Sequence, residues 1–386
     1  MKVSIVVGGR FHAFNLAQQL QKRNYLEQLV TSYPKIYIKN KFGINEKSII
    51  SLPTKEILFR TLNKISVIEK FIDIDLISAG VFERKASKLI NFKNTDILVG
   101  WSSFSLKSFQ NSKKYDCINV LERGSSHIEF QSDLLREEYE LLGINPKFAS
   151  QKIIDKEKKE YELSDYICVP SEFAKQSFIN KGFNSKKLKK INYGVSLNEF
   201  SNYGKRNKNK EFHIIYVGSI SVRKGVIYLI KAFNELKLID SKLTLIGDIE
   251  KGFKKLLYKN LNEKIKIIKP MGQNLLKNYY NQADVFVTCS IEEGLSMVQI
   301  QAMACGLPVI CTKNSGGEDI INEGKEGFIL PIRDNYRLKE KLLYLYENKD
   351  LRYEMSENAL SKATSFLKWE DYGEKITNFY SSILKK

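Results

Sequence analysis

One stretch of the chain, residues 283 to 317, leaves few folds open. A β-branched run from Val285 to Thr288 has the length of a buried strand, and a polar turn from Ser290 to Gly294 follows it. Met297, Val298, Ile300, Ala302, Met303 and Ala304 then recur at helical spacing, until Gly306 stops the helix and Pro308 prevents its continuation. Val309 to Thr312 opens the next strand. Strands joined through a helix lie parallel, because a parallel pair needs a crossover. The turn puts Glu293 and Gly294 where the helix begins. Free amides and partial positive charge at such an end suit a phosphate, and a carboxylate beside them suits sugar hydroxyls. Gln301 follows Glu293 by eight positions, roughly two turns, so both are expected on one side of the helix. Taken alone, the pair reads as readily as a capping acid and a solvated amide.

The same grammar runs through the chain. Val3 to Val7 reads as a strand, and Gly8-Gly9 turns it into a helix from Ala13 to Lys22, with room at Gly9 for backbone to approach a ligand. Strands are expected at Leu26 to Thr31, Asp96 to Gly100 and Cys117 to Leu121. Helical patterns lie near Lys55 to Lys64, Glu83 to Asn91 and after Ser105, while Pro34 to Leu52 has no clear period. Glu122-Arg123-Gly124-Ser125-Ser126-His127 sits past a strand's carboxyl end, where ligands collect in parallel sheets. His12 could face the same place, and His213, inside an apolar run, is expected to be structural. Residues 202 to 210 are polar and aperiodic, after which a strand (Ile214 to Val217), a turn and a helix (Val226 to Leu236) begin the pattern again. Leu243 to Gly247 and Lys264 to Ile268 are further strands, and Asn314 to Leu330 is expected to complete the sheet. Trp369, Tyr372, Ile376, Phe379, Tyr380 and Ile383 form one helical stripe in the tail. The expectation is an α/β protein with domains at 1–200 and 211–365, a linker at 201–210, and a last helix at 366–386.

Residues 283 to 317 resemble the signature of retaining glycosyltransferases of the GT-B fold, family 4. That signature has Glu-Gly, a second Glu eight positions after the first, then Ala-Met-Ala-x-Gly-x-Pro-Val; here the second Glu is Gln301. The resemblance is tight from about 164 to 331, and includes Pro170-Ser171 ahead of a helix and Tyr193-Gly194-Val195 leading to the linker. It implies two Rossmann-like domains facing a cleft, with the last helix crossing back onto the N-terminal domain. It further implies a UDP- or GDP-linked nucleotide-sugar donor on the C-terminal domain and a glycan or lipid-linked acceptor on the N-terminal one. The reaction implied is a hexosyltransferase-type transfer with retention, needing neither metal nor other cofactor. Residue by residue, it places Glu293 on the donor sugar and His127 near the reacting sugar, both as catalytic residues. Lys224 meets the diphosphate; the family's preceding Arg is Ser219 here, and Arg223 could supply the missing charge. Gly9 and the backbone of Gly294, Leu295, Ser296, Met297 and Val298 would approach the donor, with Gln301 at the ribose and Met271 at the base. An amide offers the ribose one acceptor and two donors, where a carboxylate accepts from both hydroxyls. Surface polysaccharide or lipopolysaccharide assembly is the pathway implied. The fold also carries epimerases and phosphorylases, and Ser219 and Gln301 leave open a non-catalytic nucleotide-sugar-binding protein.

Composition narrows the partners. With 386 residues the chain can bury two cores. No apolar run approaches the roughly 18 residues of a membrane span, and Met1 to Val7 is too short for a signal-peptide core. A cytoplasmic address is expected. The five cysteines form no Cys-x-x-Cys and read as reduced packing residues. Asp73 and Asp75 imitate a metal-binding pair, but their alternation with Ile72, Ile74 and Leu76 marks a strand or helix face. The net charge of +18 is dispersed among acids, and no recognition motif accompanies it, so nucleic acid is not an expected partner. The first fifty residues are lopsided: Lys2, Arg10, Lys22, Arg23, Lys35, Lys39, Lys41 and Lys47 against Glu27 and Glu46. Such a basic face would suit an anionic membrane surface or a lipid-linked diphosphate.

Overall fold

The computed structural model describes residues 1–56, 74–145, 148–203 and 211–385. Seven strands build the first sheet: β1 (Val3–Val7), β2 (Leu26–Thr31), β3 (Ile49–Ser51), β4 (Ile97–Trp101), β5 (Ile118–Glu122), β6 (Tyr166–Val169) and β7 (Leu188–Lys190). Their order is β3-β2-β1-β4-β5-β6-β7, and each pairing is parallel. Six more strands repeat the scheme: β8 (Phe212–Val217), β9 (Ser241–Ile246), β10 (Ile265–Ile268), β11 (Val285–Thr288), β12 (Val309–Thr312) and β13 (Gly327–Leu330). These run β10-β9-β8-β11-β12-β13, again parallel. Every residue of β1, β4, β8, β11 and β12 is buried, because helices cover both faces. In each sheet the strand order reverses beside the first strand, between β1 and β4 and between β8 and β11. Crevices at such reversals are where α/β sheets hold ligands.

The last helix, Trp369–Leu384, lies on the N-terminal sheet's side of the molecule. All six residues of the expected stripe are buried. Phe379 meets Tyr166 of β6 edge-on at 5.4 Å, and Lys22 pairs with Glu370 at 2.9 Å. The chain crosses where Val195 N donates to Leu367 O at 2.7 Å. Burying each such aromatic contributes about 1.5–3 kcal/mol, which fixes the crossing.

Several local expectations change. Pro34 to Leu52 contains a helix, Lys35–Phe42, capped by Pro34 and ended by Gly43 in the left-handed region, and then β3. Within Asn314 to Leu330 only Gly327–Leu330 is a strand; Lys313–Ser315 and Gly317–Asp319 are single 3-10 turns. Gly316, at φ +75°, folds the chain back there instead of extending it. The helix after the Glu293 turn begins only at Met297, so Glu293 and Gln301 do not share a helix face. Most of the Lys55–Lys64 helix, Asp73 and the linker from 204 to 210 lie outside the described residues. Ile74 opens a helix, Ile74–Leu89.

Candidate active site

The loops after β5 and β6 of the first sheet meet those after β8 and β11 of the second. Two glycines let them close up. Gly225 holds φ +58°, and a Cβ there would overlap the Cys289 carbonyl. A Cβ on Gly294 would overlap the Gly124 carbonyl across the domains and crowd Pro170. Ser171 Oγ donates to the Gly294 carbonyl, fastening the same contact.

Two acid–base pairs sit side by side here. In the first, Lys224 Nζ lies 2.5 Å from Glu293 Oε1, with the side chains 17% and 19% exposed. Ser290 Oγ donates to Glu293 Oε2 at 3.3 Å. Glu293 is placed by the folded-back turn: its N donates to Asn314 O at 2.9 Å, and Asn314 Nδ2 donates to Ile291 O at 2.8 Å. The pair therefore belongs wholly to the C-terminal domain, is partly exposed, and follows β8 and β11, the two strands at the reversal.

The second pair is closed. Glu292 is fully buried and accepts from Ser126 N (3.0 Å), Ser126 Oγ (2.6 Å), Gln131 Nε2 (2.7 Å) and Arg223 Nε (2.9 Å). Arg223 also donates to Glu292 O at 3.1 Å and, through Nη2, to Ser125 Oγ at 3.1 Å. Burial would raise the Glu292 carboxyl, but the Arg223 charge and the Ser126 bonds outweigh it and hold the group below the usual carboxylate range. Behind it, Arg123 donates to Ser126 O at 3.0 Å and pairs with Glu157 at 2.8 Å. Burial disfavours the Arg123 charge, yet Glu157, Tyr161, Glu292 and Glu160 together more than compensate and its pKa rises.

Arg223 is thus not aimed at a diphosphate. The expectation fails because its guanidinium is held by Glu292 and Ser125. His127 also departs from its expected place. It is 1% exposed, ringed by Tyr161, Phe178 and Phe183 at 5.1, 5.0 and 5.5 Å. Its Nδ1 accepts from Glu129 N at 3.2 Å and caps the helix Ile128–Leu141. Burial lowers its pKa to about 4, so the ring is neutral and faces no crevice. His12 is likewise enclosed, 3.1 Å from Glu122 and tilted against the Tyr193 ring at 4.3 Å. His213 bonds Gln282 O and Thr244 Oγ1 within its own domain.

The remaining positions line the C-terminal wall or its approach. Ser219 is exposed, and its carbonyl receives Tyr216 OH at 2.7 Å. Gly294, Leu295 and Ser296 are buried, Met297, Val298 and Met271 half-buried. Gln301 is 7% exposed, with Oε1 3.4 Å from Tyr280 OH. Gly9, half-buried, lies under the Phe11 ring. Sequence reading missed Glu292, Ser125, Ser126 and Gln131; the Glu292-Glu293 doublet was the available signal. Four of the eight cations named in the first fifty residues are paired: Lys2, Lys22, Lys39 and Lys41 meet Glu27, Glu370, Glu46 and Glu199. No helix among the described residues is long and apolar enough to cross a membrane.

Paired parallel sheets with the last helix returned to the first domain are the GT-B fold. Anabaena Alr3699/HepE, solved with UDP and glucose, superposes with a TM-score of 0.71 at 15% identity, over 99% of this chain and all of that one. Sucrose-phosphate synthase from Thermosynechococcus elongatus gives 0.70 at 17% identity, over 100% and 99%. Residues 199–362, in the C-terminal half, match the family model of glycosyl transferases group 1. An uncharacterized glycosyltransferase of Methanocaldococcus jannaschii is 30% identical over 44% of this chain and 48% of its own. The capsular polysaccharide biosynthesis glycosyltransferase CapM of Staphylococcus aureus is 29% identical over 46% and 48%. The chain thus spans about half the length of these curated relatives.

Proposed function

We propose that this protein transfers a sugar from a UDP- or GDP-linked donor to a glycan or lipid-linked acceptor, with retention at the anomeric carbon. The observation that carries the reading is the Lys224–Glu293 pair, 2.5 Å apart and partly exposed at the second sheet's strand reversal. A bound donor would exchange that contact: its diphosphate takes the ammonium, and the sugar's hydroxyls donate to the carboxylate. As the glycosidic bond breaks, the departing diphosphate gains negative charge. Lys224 and the free amides at the start of Val226–Leu236 are fixed beside the charge that develops, which is where stabilisation accelerates the step. In this reading no metal is needed for that charge. Gln301 would serve the ribose, Met271 the base, and Gly9, Ser219 and the backbone from Gly294 to Val298 would border the donor.

Support comes from the names of similar proteins, HepE solved with UDP-glucose and relatives such as CapM and the lipopolysaccharide 1,2-N-acetylglucosaminetransferase of Salmonella typhimurium. Capsule or lipopolysaccharide assembly at the cytoplasmic membrane surface follows as the setting. The test is Glu293→Ala, assayed for release of nucleoside diphosphate from the donor in the presence of acceptor. Loss of one preorganised polar partner predicts a fall of roughly 10²–10³-fold in turnover with the melting temperature near wild type. An equally active variant would remove the assignment.

A further inference from the structure

Away from the loops already described, the N-terminal domain holds a cavity of about 560 Å³ between the helices Ile74–Leu89 and Gln151–Leu163. That size is in the range of ligand pockets, about 300–1,000 Å³. Its walls have two chemistries. Leu76, Ile77, Val81 and Leu106 make an apolar side. Arg84, Lys152 and Lys159 stand at the rim with Asp155, an excess of two positive charges, since three cations meet one acid. Lys156, at the back, is already neutralised by Glu83 at 3.1 Å. Lysine and arginine stems lie along apolar surface while their heads stay wet, so the rim continues the apolar wall outward.

Gly80 adds an independent sign. It sits in the middle of Ile74–Leu89 and lines the cavity, yet among the described residues no atom lies within 4 Å of where its Cβ would be. A glycine inside a helix costs about 1 kcal/mol against alanine, and no neighbour among the described residues demands one. Its lack of a side chain keeps the cavity open.

The cavity also lies at the cleft end of the first sheet. Leu106 begins the helix that follows β4, and the back wall is wired to the interdomain contact. Lys156 Nζ donates to Ser103 O at 2.6 Å, Ser103 Oγ to Glu157 at 2.6 Å, and Glu157 holds Arg123, which holds Ser126 beside Glu292.

We propose that this cavity binds one phosphorylated lipid, its chain on the Leu76–Val81 face and its phosphate at Arg84, Lys152 and Lys159, as the carrier end of the acceptor. The apolar wall excludes a simple sugar or free phosphate as the preferred occupant, and the charged rim excludes a neutral lipid. The assignment to an acceptor rests on the transferase reading; binding itself does not.

The experiment titrates the full chain with dodecyl phosphate below its micelle concentration, beside dodecyl maltoside, inorganic phosphate and vesicles of anionic lipid. Wild type should bind dodecyl phosphate at least tenfold more tightly than dodecyl maltoside or phosphate. Gly80→Leu, which adds a side chain where the helix lines the cavity, should weaken it at least tenfold, and Lys152→Ala with Lys159→Ala several-fold. UDP or GDP binding should be unchanged in each variant, so a failed donor reading is seen separately from a failed lipid site. Equal binding by Gly80→Leu, equal binding of the neutral amphiphile, or association with vesicles that is insensitive to all three substitutions would overturn the proposal.

Discussion

Arg223–Glu292 and Lys224–Glu293 are adjacent in sequence at both ends and opposite in placement. Glu292 has no exposed surface and draws four donors, two of them from Ser126 of the other domain. Glu293 is partly exposed and stays within its own domain. A fully buried carboxylate held by four donors cannot be released without leaving those donors unpaired. A partly exposed carboxylate with one cation and one hydroxyl can, because water and ligand compete for its partners. The first pair therefore holds the domains in register, and the second is free to serve a ligand.

Removing one acid from each pair breaks the comparison most directly. Glu292→Ala should lower folding stability by about 1–3 kcal/mol, since Ser126 and Gln131 lose a buried acceptor and Arg223 its ion-pair partner. Denaturant unfolding would measure it, and a loss no greater than that of Glu293→Ala would show that the buried pair holds nothing. Next in size is a pH effect on the helix that carries Gln131. Burial holds His127 at about 4 against an ordinary 6.5. The folded chain thus binds fewer protons than the unfolded one, and this contribution, complete above 6.5, is lost as pH falls toward 4. His127→Asn keeps a capping acceptor without the titration. Wild type should lose more stability than this variant between those pH values; parallel curves would contradict the burial. Smallest is Ser125→Ala, which removes the single Arg223 bond at 3.1 Å. About 1 kcal/mol or less is expected in the same unfolding assay. A loss matching Glu292→Ala would move the centre of the contact to Arg223.

Much of this architecture could be read from residue order. Fully buried strands such as Val3–Val7 and Val285–Thr288 announce themselves as short unbroken apolar runs, and the repeat of strand, turn and helix after 210 forecast the second sheet. The Lys35–Phe42 helix was hidden because Tyr37 and the lysines blur its period, though Pro34 and Gly43 bracket it. The turns within 313–319 read as sheet in the sequence because apolar Ile320 and Ile321 follow them, and these are buried without being extended. At the site, the motif drew attention to Glu293 and Lys224, whose roles are local. Glu292 was invisible for a different reason: its partner Ser126 lies 166 residues away, and burial of one glutamate in a doublet is decided by how two domains meet. The same long-range packing enclosed His127, whose loop of glycine and serines had the look of an open site.

The central claim is that Lys224 and Glu293 form a donor site on the C-terminal domain. The most direct measurement is calorimetric titration of UDP and GDP into wild type and Lys224→Ala. One diphosphate should bind wild type, and loss of the ammonium should weaken it about tenfold or more, roughly 1.4 kcal/mol. Binding of neither, or equal binding by Lys224→Ala, would contradict the account.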